Sequence, residues 1–239
     1  MVFFIKLADK IIEVNAVYDE LKTFFSDYLI DEGMPDFTIS WTEEEILAEK
    51  DFLSEIDFPN TYLETLTALR KISEIFPFHE RLLIHGASIA YHDKGYLFTA
   101  PSGTGKSTHI CLWKKFLGKE VKIVNGDKPF VSLENNAPYI HGTPWAGKEN
   151  WQKNRSVPLN GICFLKRGLE NRIQRLEPSQ ALTHIFQQVY LPKNPEAAAL
   201  TLELTDRLLR HTPLYLLECN MSEEAVRCSF EALTGLNYK

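Results

Sequence analysis

This sequence has few cysteines, no long apolar run and no cationic excess, and each shortage removes a class of protein. The 4 cysteines in 239 residues, Cys111, Cys163, Cys219 and Cys228, show no C-x-x-C spacing, and no histidines cluster at zinc-site intervals. A disulfide framework and a structural zinc site are therefore not expected; free, mostly buried thiols in a reducing cytosol are. No run of about 18 apolar residues is present, so no membrane-spanning helix is expected. The opening Met-Val-Phe-Phe-Ile-Lys-Leu-Ala-Asp-Lys meets charge too early for a signal peptide. Lys and Arg total 26 against 32 for Asp and Glu, a net charge of −6. Sequence-independent nucleic-acid binding, which needs clustered cations to release counterions, is not expected either. Internal repeats and low-complexity segments are absent. A soluble, cytoplasmic protein is the expectation, with its oligomeric state left open.

What is present is a chain able to fill a core, with 44% hydrophobic and 12% aromatic residues. Its charge is uneven: residues 1–80 carry 6 cationic and 18 acidic side chains, and residues 81–239 carry 20 and 14. The sign changes near Pro77–Glu80, which marks the expected boundary between an acidic α+β part, 1–80, and a second domain, 81–239. Either the second part handles anions or the two parts attract each other.

In the first part, Phe3–Leu7 and Ile11–Val14 around Asp9-Lys10 predict a hairpin. Apolar residues from Val17 to Leu29 at helical spacing predict a helix over 17–29. Phe37, Ile39 and Trp41 alternate as in a half-buried strand, Thr42 and Glu45 form a capping box, and a helix is predicted over 61–75. The triple Glu43-Glu44-Glu45 is a candidate surface for a basic peptide.

In the second part, one strand is predicted from Leu82 to Tyr91, a turn at Asp93-Lys94-Gly95 and a returning strand over Tyr96–Thr99. A helix over 106–117 closed by Gly118 and a strand Val121–Val124 follow. A hairpin of Ile162–Leu165 with Arg172–Leu176, helices near 179–190 and 196–210, a strand Leu214–Glu218 and a helix capped by Ser222 complete it. The mixture reads α/β.

The chemistry concentrates in Ala100-Pro101-Ser102-Gly103-Thr104-Gly105-Lys106-Ser107-Thr108. It matches the phosphate-binding pattern G-x-x-x-x-G-K-[ST] except that Ala100 replaces the first Gly. Small residues let successive N–H groups turn toward phosphate oxygens. Lys106 is positioned as a point charge for the β- and γ-phosphates, Ser107 as a hydroxyl ligand for Mg²⁺, and the helix that starts here points its positive end the same way. Asp127, ending an apolar strand 21 residues on, is suited to hold Mg²⁺ or to orient an attacking hydroxyl.

These residues resemble the HPr kinase/phosphorylase family and its relatives in the phosphoenolpyruvate carboxykinase-like group of P-loop proteins. His85-Gly86 before the loop, Ser102–Ser107 themselves, and Val124-Asn125-Gly126-Asp127 carry the likeness, which covers about 81–133. It implies a mixed-sheet P-loop kinase core that phosphorylates a hydroxyl, often a serine. The kinases of modified-peptide gene clusters are similar, which points to a peptide or protein acceptor. Two departures stand out: the family's paired Asp-Asp is Gly126-Asp127 here, and its phosphorylase signature is missing.

The expected function is therefore phosphoryl transfer from ATP, with Mg²⁺, to a serine hydroxyl of a peptide or protein. A small-molecule alcohol, a hydrolase acting on water and a non-catalytic nucleotide or peptide sensor stay open. Lys106, Asp127, His85 and Arg155 are the candidate catalytic residues. Ser102, Gly103, Thr104, Gly105, Lys106, Ser107, Thr108 and Lys148 are expected to bind the nucleotide, and Ser107, Asp127 and Glu149 the metal. Arg155 stands as the transition-state cation, with Lys148, Lys153 and Arg167 as rivals; Lys166-Arg167-Gly168 otherwise reads as a solvated hairpin tip.

Overall fold

The computed structural model of the protein describes residues 1–53 and 58–238. The chain opens with β1 (Val2–Leu7) and β2 (Lys10–Asn15), the expected hairpin, turned at Ala8 and Asp9, both at positive φ. Then come α1 (Glu20–Phe24), β3 (Leu29–Ile30), β4 (Phe37–Ser40), α2 (Glu43–Leu47) and α3 (Asn60–Ile75). The four strands form one sheet in the order β3-β1-β2-β4. The helix expected over 17–29 stops at Phe24, because Leu29 and Ile30 pair with Ile5 and Phe4 of β1 instead. The capping box of Thr42 and Glu45 forms as expected. Glu45 also binds Lys71 and Glu43 accepts from the Tyr18 hydroxyl, so two of the three glutamates already have internal partners.

One buried carboxylate pins this part together. Glu64 of α3 is fully buried and accepts from the backbone N–H of Val17 at 2.6 Å, that of Tyr18 at 3.1 Å and the Trp41 indole at 2.9 Å. Three donors on one anion replace the water it has lost.

The second sheet is built from β5 (Arg81–Leu83), β6 (Ala87–Tyr91), β7 (Lys94–Thr99), β8 (Val121–Asn125), β9 (Phe130–Ser132), β10 (Tyr139–His141), β11 (Ser156–Arg167), β12 (Arg172–Leu176) and β13 (Leu214–Cys219). The order β5-β9-β10-β11-β7-β6-β8 has β13 beside β11 and β12 beside β13. β11 runs parallel to β7 and β13 and antiparallel to β10, so the sheet is mixed. Helices α4 (Lys106–Leu117) and α7 (Glu223–Thr234) cover one face, where Phe98, Trp113 and Phe230 pack together. On the other face, α5 (Pro178–Ile185) and α6 (Pro195–His211) bury Phe164, Ile185 and Leu208. The architecture is mixed α/β, and no helix among the described residues is long and apolar enough to cross a membrane.

Five expectations need correction. The strand expected over Leu82–Tyr91 is two strands broken at His85-Gly86, because β5 pairs with β9 while β6 pairs with β7 and β8. The turn before β7 is His92-Asp93, both at positive φ, and Lys94 already belongs to the strand. β11 and β12 do not form a hairpin, since β13 lies between them and pairs with both. The helix expected over 179–190 ends at Ile185, because residues 188–190 turn extended and bond back to Leu83 and His85. At the last helix, the Ser222 side chain caps nothing and instead accepts from the Asn171 amide at 3.1 Å.

The first sheet packs on the second through aromatic contacts. The Trp145 ring meets Phe24 and Phe25 and its indole donates to the Thr65 carbonyl at 2.9 Å. The buried Arg81 donates to the Ala8 carbonyl at 3.0 Å and pairs with Glu134 at 2.6 Å.

His109, 3% exposed under Phe98, has its imidazole pKa pushed down to about 4 by burial. A histidine neutral when folded but protonated when unfolded stabilises fully above about pH 6.5, and that share is lost as pH falls toward 4. Unfolding in urea should show stability falling between these limits, by about 1 kcal/mol per pH unit from this residue. His109→Gln should flatten the profile; an unchanged slope would contradict the assignment.

Candidate functional site

Residues 100–105 leave the end of β7 and deliver the chain into α4. Gly103 at φ +75° and Gly105 at φ +118° give the loop its shape, and a Cβ at either would meet nothing within 4 Å. Conformation, not crowding, requires glycine there. Gly105 is the N-cap of α4 and offers no side chain to the first-turn N–H groups, which stay available to an anion. Lys106 is 7% exposed, its ammonium held by the carbonyls of Ala100 at 2.9 Å and Pro101 at 3.4 Å. Burial lowers its pKa, and the nearby Asp127 carboxylate opposes that shift. Ser107 is half-buried, while Ser102 and Thr108 are exposed at the loop's rim.

Asp127 comes to this loop from the end of β8. Burial would raise its carboxyl pKa, but the hydrogen bond from His85 and the ammonium of Lys128 outweigh that and hold it well below the usual carboxylate range. His85 Nε2 lies 3.3 Å from Asp127 Oδ1, and Lys128 Nζ bonds Oδ2. The imidazole is fixed from behind by Gln188, whose Oε1 lies 3.0 Å from Nδ1, and by the His85 N–H donating to the Gln188 carbonyl at 2.7 Å. The structure therefore brings Lys106, Asp127 and His85 together.

A buried amide aims the carboxylate. Asn125, fully buried, accepts at Oδ1 from the N–H of Asp127 at 2.8 Å and of Lys128 at 2.7 Å. Its Nδ2 donates to the Thr143 carbonyl and hydroxyl, and that hydroxyl donates to the Lys128 carbonyl at 2.7 Å. The 142–149 loop is thereby tied to the end of β8. At Gly126 a Cβ would lie 2.6 Å from the Ala146 carbonyl. No second carboxylate fits beside Asp127, which explains the single acid at this position. Instead Glu149 lies across Gly147: a Cβ placed there would be 3.6 Å from both Asp127 Cγ and Glu149 Oε2. Lys148, next to it, is exposed.

Arg155 is not part of this cluster. It pairs with Asp93 at the turn before β7, and the six residues of β7 separate that turn from the loop by about 20 Å. Arg167 is the arginine at the loop: it ends β11 and donates to the carbonyls of Gly103 and, at 3.3 Å, Thr104. Lys166 and Arg167 are exposed as expected, but they form no hairpin tip, since β13 occupies the place of the expected partner strand. Beside Arg167 opens a cleft of about 450 Å³ bounded by Thr108, His109 and Leu112 of α4, Leu165 of β11, Cys219 and Met221.

Sequence reading overlooked Lys128, Gln188 and the Asn125–Thr143 pair. Only Asn125 left a signal: a polar amide closing an apolar strand must find partners when buried. Gln188 could not be found, because it stands where a continuous helix was expected.

Among the described residues no three His, Cys, Asp or Glu side chains converge as a ready-made metal cage. The Ser107 hydroxyl and the carboxylates of Asp127 and Glu149 are hard oxygen donors of the kind Mg²⁺ takes alongside water and phosphate oxygens.

A family model described as ScmC, SynChlorMet cassette protein ScmC, matches residues 57–225, well over half of the chain. The chain belongs to the ScmC family. The matched span of this ScmC-family chain includes the loop, Asp127 and Gln188. Among solved structures, the chain is similar to the Hpr(Ser) kinase/phosphatase from Coxiella burnetii, at 13% identity and a TM-score of 0.35, covering 61% of this chain and 93% of that one. No curated protein matches the sequence.

Gly126→Ala should cost about 1–3 kcal/mol in urea unfolding, because its methyl group must push the Ala146 carbonyl away. Stability within about 0.3 kcal/mol of the parent would mean the 142–149 loop does not press on this position.

Proposed function

We propose that this protein is a kinase that moves the γ-phosphate of ATP, with Mg²⁺, to a hydroxyl group, a serine of a peptide or protein. The observation that carries the reading is the meeting of Lys106, at the start of α4, with the ionised Asp127 held by His85 and Lys128.

The roles follow from the chemistry of each group. The N–H groups around Gly103–Ser107 and the Lys106 ammonium bind phosphate oxygens, while Arg167 keeps the loop in shape through the Gly103 and Thr104 carbonyls. The nucleoside lies along α4 in the cleft beside Thr108 and Leu112. Ser107, Asp127 and Glu149 would hold Mg²⁺, which when bound would neutralise charge on the transferring phosphoryl group. Asp127 also orients the acceptor hydroxyl. Its depressed pKa makes it a weak base, which suits a loose transition state in which the hydroxyl proton leaves late. His85 positions the carboxylate and Gln188 positions His85. Lys128 supplies a second cation next to the reacting oxygens.

The test is transfer of label from γ-labelled ATP in extract freed of small molecules. A macromolecular band labelled by the wild type is expected, with Lys106→Ala and Asp127→Asn slower by about 10²-fold or more. Arg167→Ala should raise KM for ATP about tenfold, and Arg155→Ala should leave it within about twofold. Label reaching only a small product would replace the peptide acceptor by a metabolite. Phosphate released at the same rate without acceptor and with Asp127→Asn would overturn the reading.

A further inference from the structure

β8 is an edge strand of the second sheet. β6 lies on one side of it, and on the other only the end of the strand is covered, by a bridge of Asn125 to Gln152 and the Lys153 N–H on the Val124 carbonyl at 3.2 Å. Val121, Lys122 and Ile123 pair with no strand on that outer side among the described residues. A groove of about 720 Å³ runs along this free edge, floored by Trp151 and walled by Lys114 of α4, Lys122 and Lys153. None of these three lysines has an acidic partner among the described residues, and the fourth cation at the groove, Arg155, is paired with Asp93. The groove also lies near the site: a Cβ on Gly126 would lie 3.5 Å from the carbonyl of Trp151, one of the groove's lining residues, and Gly126 precedes Asp127.

An unpaired strand edge offers backbone hydrogen bonds to an extended chain, and three unpaired cations select its charge. We infer that the free edge of β8 docks an acidic, extended segment of the acceptor peptide. The docking needs no nucleotide; that the docked chain is also the acceptor rests on the kinase reading. At about 3.3 Å per residue, the step from Ile123 to Asp127 is about 13 Å, so the phosphorylated serine stands about four to six residues from the acidic segment. This surface lies away from the acidic helix α2, whose Glu43 and Glu45 already have partners in the fold.

The test uses fluorescence anisotropy of a labelled peptide with glutamates at alternate positions and one serine about five residues beyond, without nucleotide. Its lysine counterpart and a single-stranded oligonucleotide serve as rival probes. The acidic peptide should bind, the lysine peptide should not, and Lys122→Glu with Lys153→Glu should weaken binding about tenfold or more. Lys22→Glu, on α1, should change nothing, and circular dichroism reports whether the variants fold. Equal binding of both peptides, an unaffected double variant, or tighter binding of the oligonucleotide would overturn the inference. Groove-dependent binding with no label from γ-labelled ATP entering the serine would leave the docking edge standing and overturn the acceptor assignment; the kinase reading falls only by the separate transfer test above.

Discussion

The candidate site depends on a buried amide with no spare hydrogen-bonding capacity. Asn125 faces two backbone N–H groups with its oxygen and Thr143 with its nitrogen, in a fully buried position. Burial makes each of these bonds expensive to lose, so the turn that carries Asp127 has one geometry. From that turn the constraint spreads. Thr143 fixes the loop that carries Glu149, the Ala146 carbonyl presses on Gly126, and the Asp127 carbonyl accepts from Gly86 at 2.8 Å, which sets His85.

The same loop is where the two sheets meet. Trp145 leaves the site loop and packs into the core of the first sheet, against Phe24 and Phe25. The N-terminal residues thus buttress the back of the candidate site, and the acidic charge on their outer surface is a separate matter. The glycine loop, by contrast, is held by Arg167 on the Gly103 carbonyl and by the Lys106 ammonium on the Ala100 carbonyl.

How much of this was legible in the sequence varied with the range of the interaction. Local patterns were read well: the first hairpin, the Thr42–Glu45 box, α3, the loop into α4 and Asp127 at a strand end each depend on neighbours a few residues away. What escaped reading depends on distant pairing. The break at His85-Gly86 exists because β5 and β6 have different partner strands, and β13 comes between β11 and β12 from nearly forty residues further on. The parallel pairing of β11 with β7 brings Arg167, at the end of β11, to the loop and leaves Arg155, just before the start of β11, beside Asp93. Gln188 was hidden because residues past Ile185 exchange helical bonds for bonds to Leu83 and His85. The missing second carboxylate was visible as Gly126, but its cause, a carbonyl from residue 146, was not.

The central proposal is that Lys106 binds the transferring phosphate while Asp127, across from it, holds the metal and orients the acceptor. A crystal structure with a non-hydrolysable ATP analogue and Mn²⁺, located by anomalous scattering, tests it most directly. The account predicts terminal phosphates on the N–H groups of 103–107 and on Lys106, with the metal between Ser107 and Asp127. Phosphates bound elsewhere, or a metal that ignores Asp127, would contradict it.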